Sequence, residues 1–519
     1  MLKSIAAGAA LGAALLAASL PGGPAVGAPG ERTPVAFAAT PPYVDQVLKE
    51  TKAPSLAVAV SRNGKVLWEQ GFGWADPQAR IPATPHTIYG LASVTKSITS
   101  TELMVLRQRG AIDLDQPLNR YLGAAKLSSP AWDANQATVR RVATHTAGLT
   151  SFDAVCYADE PDCDRSRDDM LSRHGVIFWR PGSRFDYSNL GYGALGQAIA
   201  HVTGRPYAEA VRRDVFAPLG MTECAADRTA RVAPHYEDGA RAPAQEALAQ
   251  GASSLACSAD ALLRFGMYQL GDAVAGARPI LSPAALKAMH DETVATDDSL
   301  RYGIGWWVNP DQHGYRVVFA SGGTADSGAL LYTFPTEDIA IVVLGNAGDP
   351  RLSDVADRIA GALLPRYAAD LARGAAAPPP AAPPPTAPPP ADPRLAAFAG
   401  VWRGAISTWK GVVPVVFEVA PSGETKASIA GAPFKAERRA RLYGDGGLLL
   451  GAHGDIGTPE TGRRRPYRMG FELYPDAAGD LRGAATTWQD PGARNGGVFS
   501  YWVSLKRATA AGPPPSGPR

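Results

Sequence analysis

Ser93-Val94-Thr95-Lys96 sets a hydroxyl and an amine three residues apart. On a helix, positions i and i+3 share a face with their Cβ atoms about 5–6 Å apart, so Lys96 reaches the Ser93 hydroxyl. Serine is a poor nucleophile until a neighbouring base takes its proton. A lysine does this only where burial or nearby charge keeps its amine neutral. The candidate third member is Tyr187, which opens Tyr187-Ser188-Asn189 and, of 17 tyrosines, is the one that begins a Tyr-x-Asn. These residue types set a nucleophile beside a base.

The elements that must position these groups can be read from periodicity. Residues 93–109 carry Ile98, Leu103 and Leu106 at helical spacing and stop at Gly110, a suitable C-cap. Ser93 therefore belongs near a helix N-terminus, where unpaired N–H groups and the dipole favour a developing oxyanion. Upstream, residues 43–52 read as a helix, and the apolar runs at 55–60 and 65–68 flank Asn63-Gly64, a two-residue hairpin signal. Helical patterns at 190–202 and 261–270 precede strand-like runs at 302–308, 315–320, 329–334 and 339–344. Strands bracketing a helical middle predict an α+β domain over residues 39–373, an antiparallel sheet flanked by a helical region. Residues 374–393 repeat Pro-Pro-Pro among alanines, a stiff polyproline linker. Residues 394–508 alternate short strands with glycine turns and are expected to form a small β-barrel. The Pro- and Gly-rich tail, 509–519, is expected to be disordered.

At 519 residues the chain needs two or three domains. Its formal net charge of +2 leaves no broad basic footprint for nucleic acid, and the Arg463-Arg464-Arg465 run reads as a solvated loop. Lys3 followed by an apolar stretch at 5–20 reads as a signal peptide within residues 1–38, cleaved near Ala28 or Ala38, the second preferred because Pro29 follows the first. The expected location is periplasmic or secreted, with no transmembrane anchor in the mature protein. In an oxidising compartment the four cysteines allow three pairings, of which Cys156 with Cys163 and Cys224 with Cys257 is preferred. The spacing does not suit zinc, and neither a metal nor another cofactor is expected.

The order Ser93-x-x-Lys96, Tyr187-Ser188-Asn189, then Ser321-Gly322-Gly323 resembles class C β-lactamases, DD-peptidases, D-aminopeptidases and related esterases. Tyr89-Gly-Leu-Ala-Ser93, His145-Thr-Ala-Gly-Leu149, Pro218-Leu-Gly-Met-Thr222 and Tyr302-Gly-Ile-Gly-Trp-Trp307 extend the likeness over residues 41–368. The opening of the last domain, Phe398-Ala-Gly400-Val-Trp402, is similar to the entry of lipocalin-like barrels. The resemblance implies a serine hydrolase working through a Ser93 acyl-enzyme. Lys96 and Tyr187 would be the proton carriers, tuned as a coupled pair with the lysine charge lowering the tyrosine. Asn189 would hydrogen-bond the substrate, and the N–H groups of Ser93 and Thr324 would form the oxyanion hole. Ser321, Gly322, Gly323 and Thr324 complete the substrate-binding set, for a small-molecule or peptidoglycan-derived substrate.

Where the family usually carries a Lys or His, this chain has the neutral Ser321, which weakens recognition of a substrate carboxylate and moves weight toward esters, amides and D-amino acid derivatives. The same position favours the rival reading, a penicillin-binding sensor or pseudoenzyme without efficient turnover. Three further matches carry no chemistry. Ser407-Thr408-Trp409-Lys410 sits on a predicted strand, where residues three apart face opposite ways. Gly191-Tyr-Gly193-Ala-Leu-Gly196 lacks a preceding strand and reads as close helix packing. His145 reads as a structurally hydrogen-bonded histidine.

Overall fold

The computed structural model describes residues 33–157, 167–226, 232–296, 298–324, 327–348, 350–376, 392–434, 436–443, 446–454, 456–458, 467–488 and 497–508. The signal segment up to residue 32, Cys163, linker residues 377–391, the Arg463-Arg464-Arg465 run and the tail lie outside them.

The two runs flanking Asn63-Gly64 form β1 (Ser55–Arg62) and β2 (Lys65–Asp76). Asn63 and Gly64 both take positive φ, 52° and 66°, as a two-residue turn matched to strand twist requires. From the far end of the domain come β3 (Trp307–Gln312), β4 (Tyr315–Thr324), β5 (Ser327–Phe334) and β6 (Ile339–Gly345). The order is β3-β4-β5-β6-β1-β2, antiparallel throughout, and two-residue strands at the edges extend it to nine. β6 closes on β1 with Leu56 opposite Gly345 and Arg62 opposite Ile339, so strands from early and late in this domain share one sheet.

Both faces of that sheet are covered, which is why β1 and β6 read as unbroken apolar runs. Leu56, Val58, Val60, Ile341 and Val343 face a core shared with α1 (Thr40–Thr51) and α5 (Leu352–Leu363). Ala57, Ala59, Val342 and Leu344 face the other core, shared with α2 (Thr95–Gln108), α3 (Asn189–Thr203) and α4 (Ala259–Leu270). Each fully buried Val or Leu contributes about 1.5–3 kcal/mol, so slipping a strand by one residue is strongly opposed. The run expected at 302–308 is broken: Arg301–Tyr302 and Trp307–Gln312 are separate strands. Between them Gly305, at φ 85°, brings its backbone so close to α2 that a Cβ there would lie 2.4 Å from Ser100 Oγ.

The second sheet contains β7 (Gly400–Thr408), β8 (Gly411–Val419), β9 (Thr425–Ile429), β10 (Ala432–Phe434), β11 (Ala436–Leu442), β12 (Leu448–Gly454), β13 (Tyr467–Pro475), β14 (Leu481–Trp488) and β15 (Val498–Arg507). Its order is β10-β9-β8-β7-β15-β14-β13-β12-β11. Alternate residues, among them Trp402, Phe417, Phe471 and Val503, fill its inner face. Of the small β-barrel expected here, the structure shows a curled antiparallel half-barrel. Its outer strands β10 and β11 are neighbours in sequence and do not pair with each other. Ser407 lies on β7 and Lys410 in the turn to β8, apart from the other motifs. Among the described residues no helix is long and apolar enough to cross a membrane.

Candidate functional site

The approach to Ser93 is pinned from two sides. Tyr89–Gly90 pairs with Ala256–Cys257, which pairs with Cys224–Ala225, and a disulfide joins Cys224 to Cys257 across that ladder. The Leu91 N–H donates to Leu255 O at 2.8 Å, and Ala92 then takes φ 43°, a backbone state a non-glycine residue adopts only where its surroundings enforce it. A 3₁₀ turn, Ala92–Val94, leads straight into α2, leaving Ser93 at the helix entrance.

α2 is buried from Thr95 to Leu106, and Lys96 is 1% exposed. Lys96 Nζ lies 2.9 Å from Ser93 Oγ, 2.6 Å from Asn189 Oδ1 and 3.1 Å from Ala252 O. Burial lowers its pKa to about 7, against a smaller opposing influence of Asp153. A neutral amine has two N–H donors and one lone pair. With the donors spent on Asn189 Oδ1 and Ala252 O, the lone pair is left for the Ser93 hydroxyl.

Tyr187 reaches Ser93 by a hydrogen bond, and Lys96 Nζ stands 4.8 Å from its ring centroid. The tyrosine is walled by aromatic rings: Trp307 stacks on it at 6.0 Å and 13°, and His145 lies 4.3 Å away. Burial pushes the Tyr187 pKa above its ordinary value, so the expected lowering by the lysine charge is overturned. Tyr187 is thus a neutral phenol that can pass a proton, and Lys96 has the lone pair that a base needs. Asn189 opens α3 directly after its N-cap Ser188, whose Oγ accepts the Gly191 N–H at 3.2 Å. His145 Nδ1 accepts the Ser188 N–H at 3.0 Å, and burial holds its pKa well below the usual value. His145 therefore orients the tyrosine turn as a neutral ring.

β4 carries the third motif against the nucleophile turn. A Cβ on Gly322 would stand 2.4 Å from Leu91 O and 2.6 Å from Ser93 N, so a larger residue cannot occupy this place without moving the strand. Gly323 meets no heavy atom within 4 Å of an added Cβ. Ser321 is exposed, and Thr324 ends the strand with its Oγ1 2.7 Å from Ser327 Oγ. A cavity of about 380 Å³ is lined by Ser93, Tyr187, Trp307, Ser321, Gly322 and Gly323 together with residues of β5 and α5. Ser93 and the glycine pair thus share one cavity, with Lys96 and Asn189 bonded to each other beneath it.

Gly193 and Gly196 of the GxGxxG match lie within α3 against residues 249–251; a Cβ on Gly196 would be 3.1 Å from Gly251 N. Sequence reasoning missed two contributors. Trp307 was visible as part of an aromatic stretch but not as the wall of Tyr187. Asp153, whose pKa burial raises to about 6 against the pull of Lys96, had no local signal, because it is placed by paired backbone hydrogen bonds with Val498 of β15.

Residues 42–366 match the Beta-lactamase family. The chain is similar to protein Flp of Staphylococcus aureus strain N315, 24% identical over 319 residues, 58% of this chain and 61% of the relative. It thus spans about three fifths of the length of those relatives. It is also similar to esterase EstB of Burkholderia gladioli, 32% identical over 213 residues, 38% of this chain and 54% of the esterase. Among solved structures, SurE with D-Leu superposes with a TM-score of 0.58 at 21% identity, covering 89% of this chain and 99% of SurE, a likeness of fold.

Proposed function

The chain belongs to the Beta-lactamase family, and from that premise we propose that it is an exported serine hydrolase acting through a Ser93 acyl-enzyme on esters, amides, D-amino acid peptides or β-lactams. The observation that carries this reading is the buried Lys96 amine 2.9 Å from Ser93 Oγ, with a pKa of about 7. Ser93 Oγ attacks the carbonyl carbon and Lys96 takes its proton. The tetrahedral oxyanion lies between the N–H groups of Ser93 and Thr324, of which each is worth about 10²–10³ in rate. Collapse breaks the bond to the leaving amine or alkoxide, which takes a proton from Tyr187, and Lys96 restores the phenol. Water then enters by the same steps in reverse, giving the acid and free Ser93. Asn189 holds Lys96 with its oxygen and offers its amide N–H to the substrate.

The exposed, neutral Ser321 offers no cation to a substrate carboxylate, so esters and D-aminoacyl amides are favoured over penicillins. The same feature supports the second reading, a sensor acylated by penicillin without turnover. The half-barrel is read as lipocalin-like. Export fits a cut near Ala28 better than one after Ala38, since Phe37 is buried and stacks on Trp68 at 5.0 Å.

The test is to assay the protein and its Ser93→Ala variant on a chromogenic ester, a D-aminoacyl p-nitroanilide and a chromogenic cephalosporin. The proposal expects turnover of at least one substrate, faster on the first two and lost in Ser93→Ala. Undiminished activity of the variant contradicts it, and acylation without turnover selects the sensor.

A further inference from the structure

The half-barrel grips the loop that carries Tyr187 through a partly buried ion pair. Both Arg184 Nη atoms bond Glu472 of β13, Nη1 to Oε1 and Nη2 to Oε2 at 3.2 Å, in the two-pronged geometry that fixes direction as well as distance. Arg184 Nη1 also reaches Tyr474 Oη at 3.2 Å, and Nη2 reaches Asp186 Oδ2 at 3.1 Å. The guanidinium lies 4.0 Å from the Trp179 ring, whose Nε1 donates to the same Asp186 oxygen at 2.8 Å. With side chains 28% and 20% exposed, Arg184 and Glu472 are poorly screened by water.

The chain of contacts then continues to the site. The Asp186 N–H donates to His145 O at 2.8 Å, His145 Nδ1 accepts the Ser188 N–H, and Tyr187 lies between these two anchored residues. Residues 181–188 form no helix or strand, so no ladder fixes this loop from within. A second contact holds the opposite wall. Asp153 exchanges both backbone hydrogen bonds with Val498, at 2.9 and 3.0 Å, and Ser151 Oγ donates to Tyr187 O at 3.4 Å.

From this arrangement we infer that Glu472 of the half-barrel is a positioning residue for the hydrolase site, acting through Arg184 and Asp186 to hold Tyr187 on Ser93. The inference rests on the proposed role of Tyr187. Misplacing a proton carrier by a fraction of an ångström slows the chemical steps without changing what the cavity binds. Glu472 touches no part of the cavity.

The experiment measures kcat and KM of the full chain on a chromogenic ester for Glu472→Gln, Tyr187→Phe and the double variant, with Ser93→Ala alongside. Glu472→Gln is expected to lower kcat about tenfold with KM within threefold, and to have less than a twofold effect on kcat in the Tyr187→Phe background, because the residue it positions is already disabled. An unchanged kcat for Glu472→Gln, or an equal fall in both backgrounds, overturns the inference. If circular dichroism finds Glu472→Gln unfolded, Glu472→Asp, which keeps the charge on a shorter stem, is read by the same two criteria. Activity surviving in Ser93→Ala would instead strike the serine mechanism itself, which separates the two failures.

Discussion

The Cβ that Gly322 lacks would stand 2.6 Å from the backbone nitrogen of Ser93. Two motifs far apart in the chain therefore meet backbone to backbone, and the strand edge lies as close to the nucleophile turn as atoms allow. Gly322→Ala must push β4 away, opening any oxyanion hole shared between the two. Its expected outcome is a loss of about 10² in kcat, with a stability cost of about 1–3 kcal/mol from the overpacking, read by ester kinetics and urea unfolding.

On the proposed mechanism, Lys96 sets the acid limb of activity. Its folded pKa of about 7 lies below the ordinary lysine value, so the neutral base accumulates as pH rises through 7. The plot of log kcat/KM against pH should climb with unit slope to a bend near pH 7 and then level. Lys96→Arg, which cannot lose its proton, should be inactive across the whole range. A profile flat from pH 5 to 8 would exclude Lys96 as the base.

Six residues further along α2, Glu102 is 0% exposed and its two carboxyl oxygens have no hydrogen-bond partner among the described residues. Burial, with Asp214 adding to it, raises its pKa to about 9. A raised folded pKa means full stability below the unfolded value near 4.5, lost progressively as pH rises toward 9. Glu102→Gln removes that titration. The stability difference between variant and parent should grow in the variant's favour between about pH 5 and 9, by about 1.4 kcal/mol per unit at most. Parallel curves in urea melts across that range would contradict this placement of Glu102.

What could be read from the chain and what could not divide along physical lines. Local signals carried the two-sided sheet: unbroken apolar runs, the Asn63-Gly64 turn and the helical spacing after Ser93 all act over a few residues. The Ser93, Lys96, Tyr187 and Asn189 set was legible because its residue types and order are distinctive, and it gathers into one hydrogen-bonded cluster. The Tyr187 pKa was misjudged because burial, a tertiary property, outweighs a neighbouring charge. Asp153 and the Arg184–Glu472 pair were invisible for the same reason, since each depends on where the half-barrel docks. The barrel itself was read one step too far, because alternation reports strands but not whether the outer two pair.

On the proposed function, Ser321 governs which substrates are held. Ser321→His places a cationizable ring at the exposed edge of β4, beside the cavity that Ser93 lines. Below the histidine pKa this should lower KM for substrates with a free carboxylate by about fivefold to tenfold and leave neutral esters within twofold, since a charge-assisted hydrogen bond adds about 1 kcal/mol or more. Steady-state kinetics on a matched acid and methyl ester pair decides it. An equal effect on both members would remove charge from the account of this position.

The central claim is covalent, and the intact mass of the protein tests it most directly. After brief mixing with a slowly deacylating ester or a penicillin, followed by acid quench, the protein should gain the mass of one acyl group, located on the peptide containing Ser93 and absent from Ser93→Ala. An adduct on another residue, or hydrolysis by Ser93→Ala at the parent rate with no adduct, would contradict it.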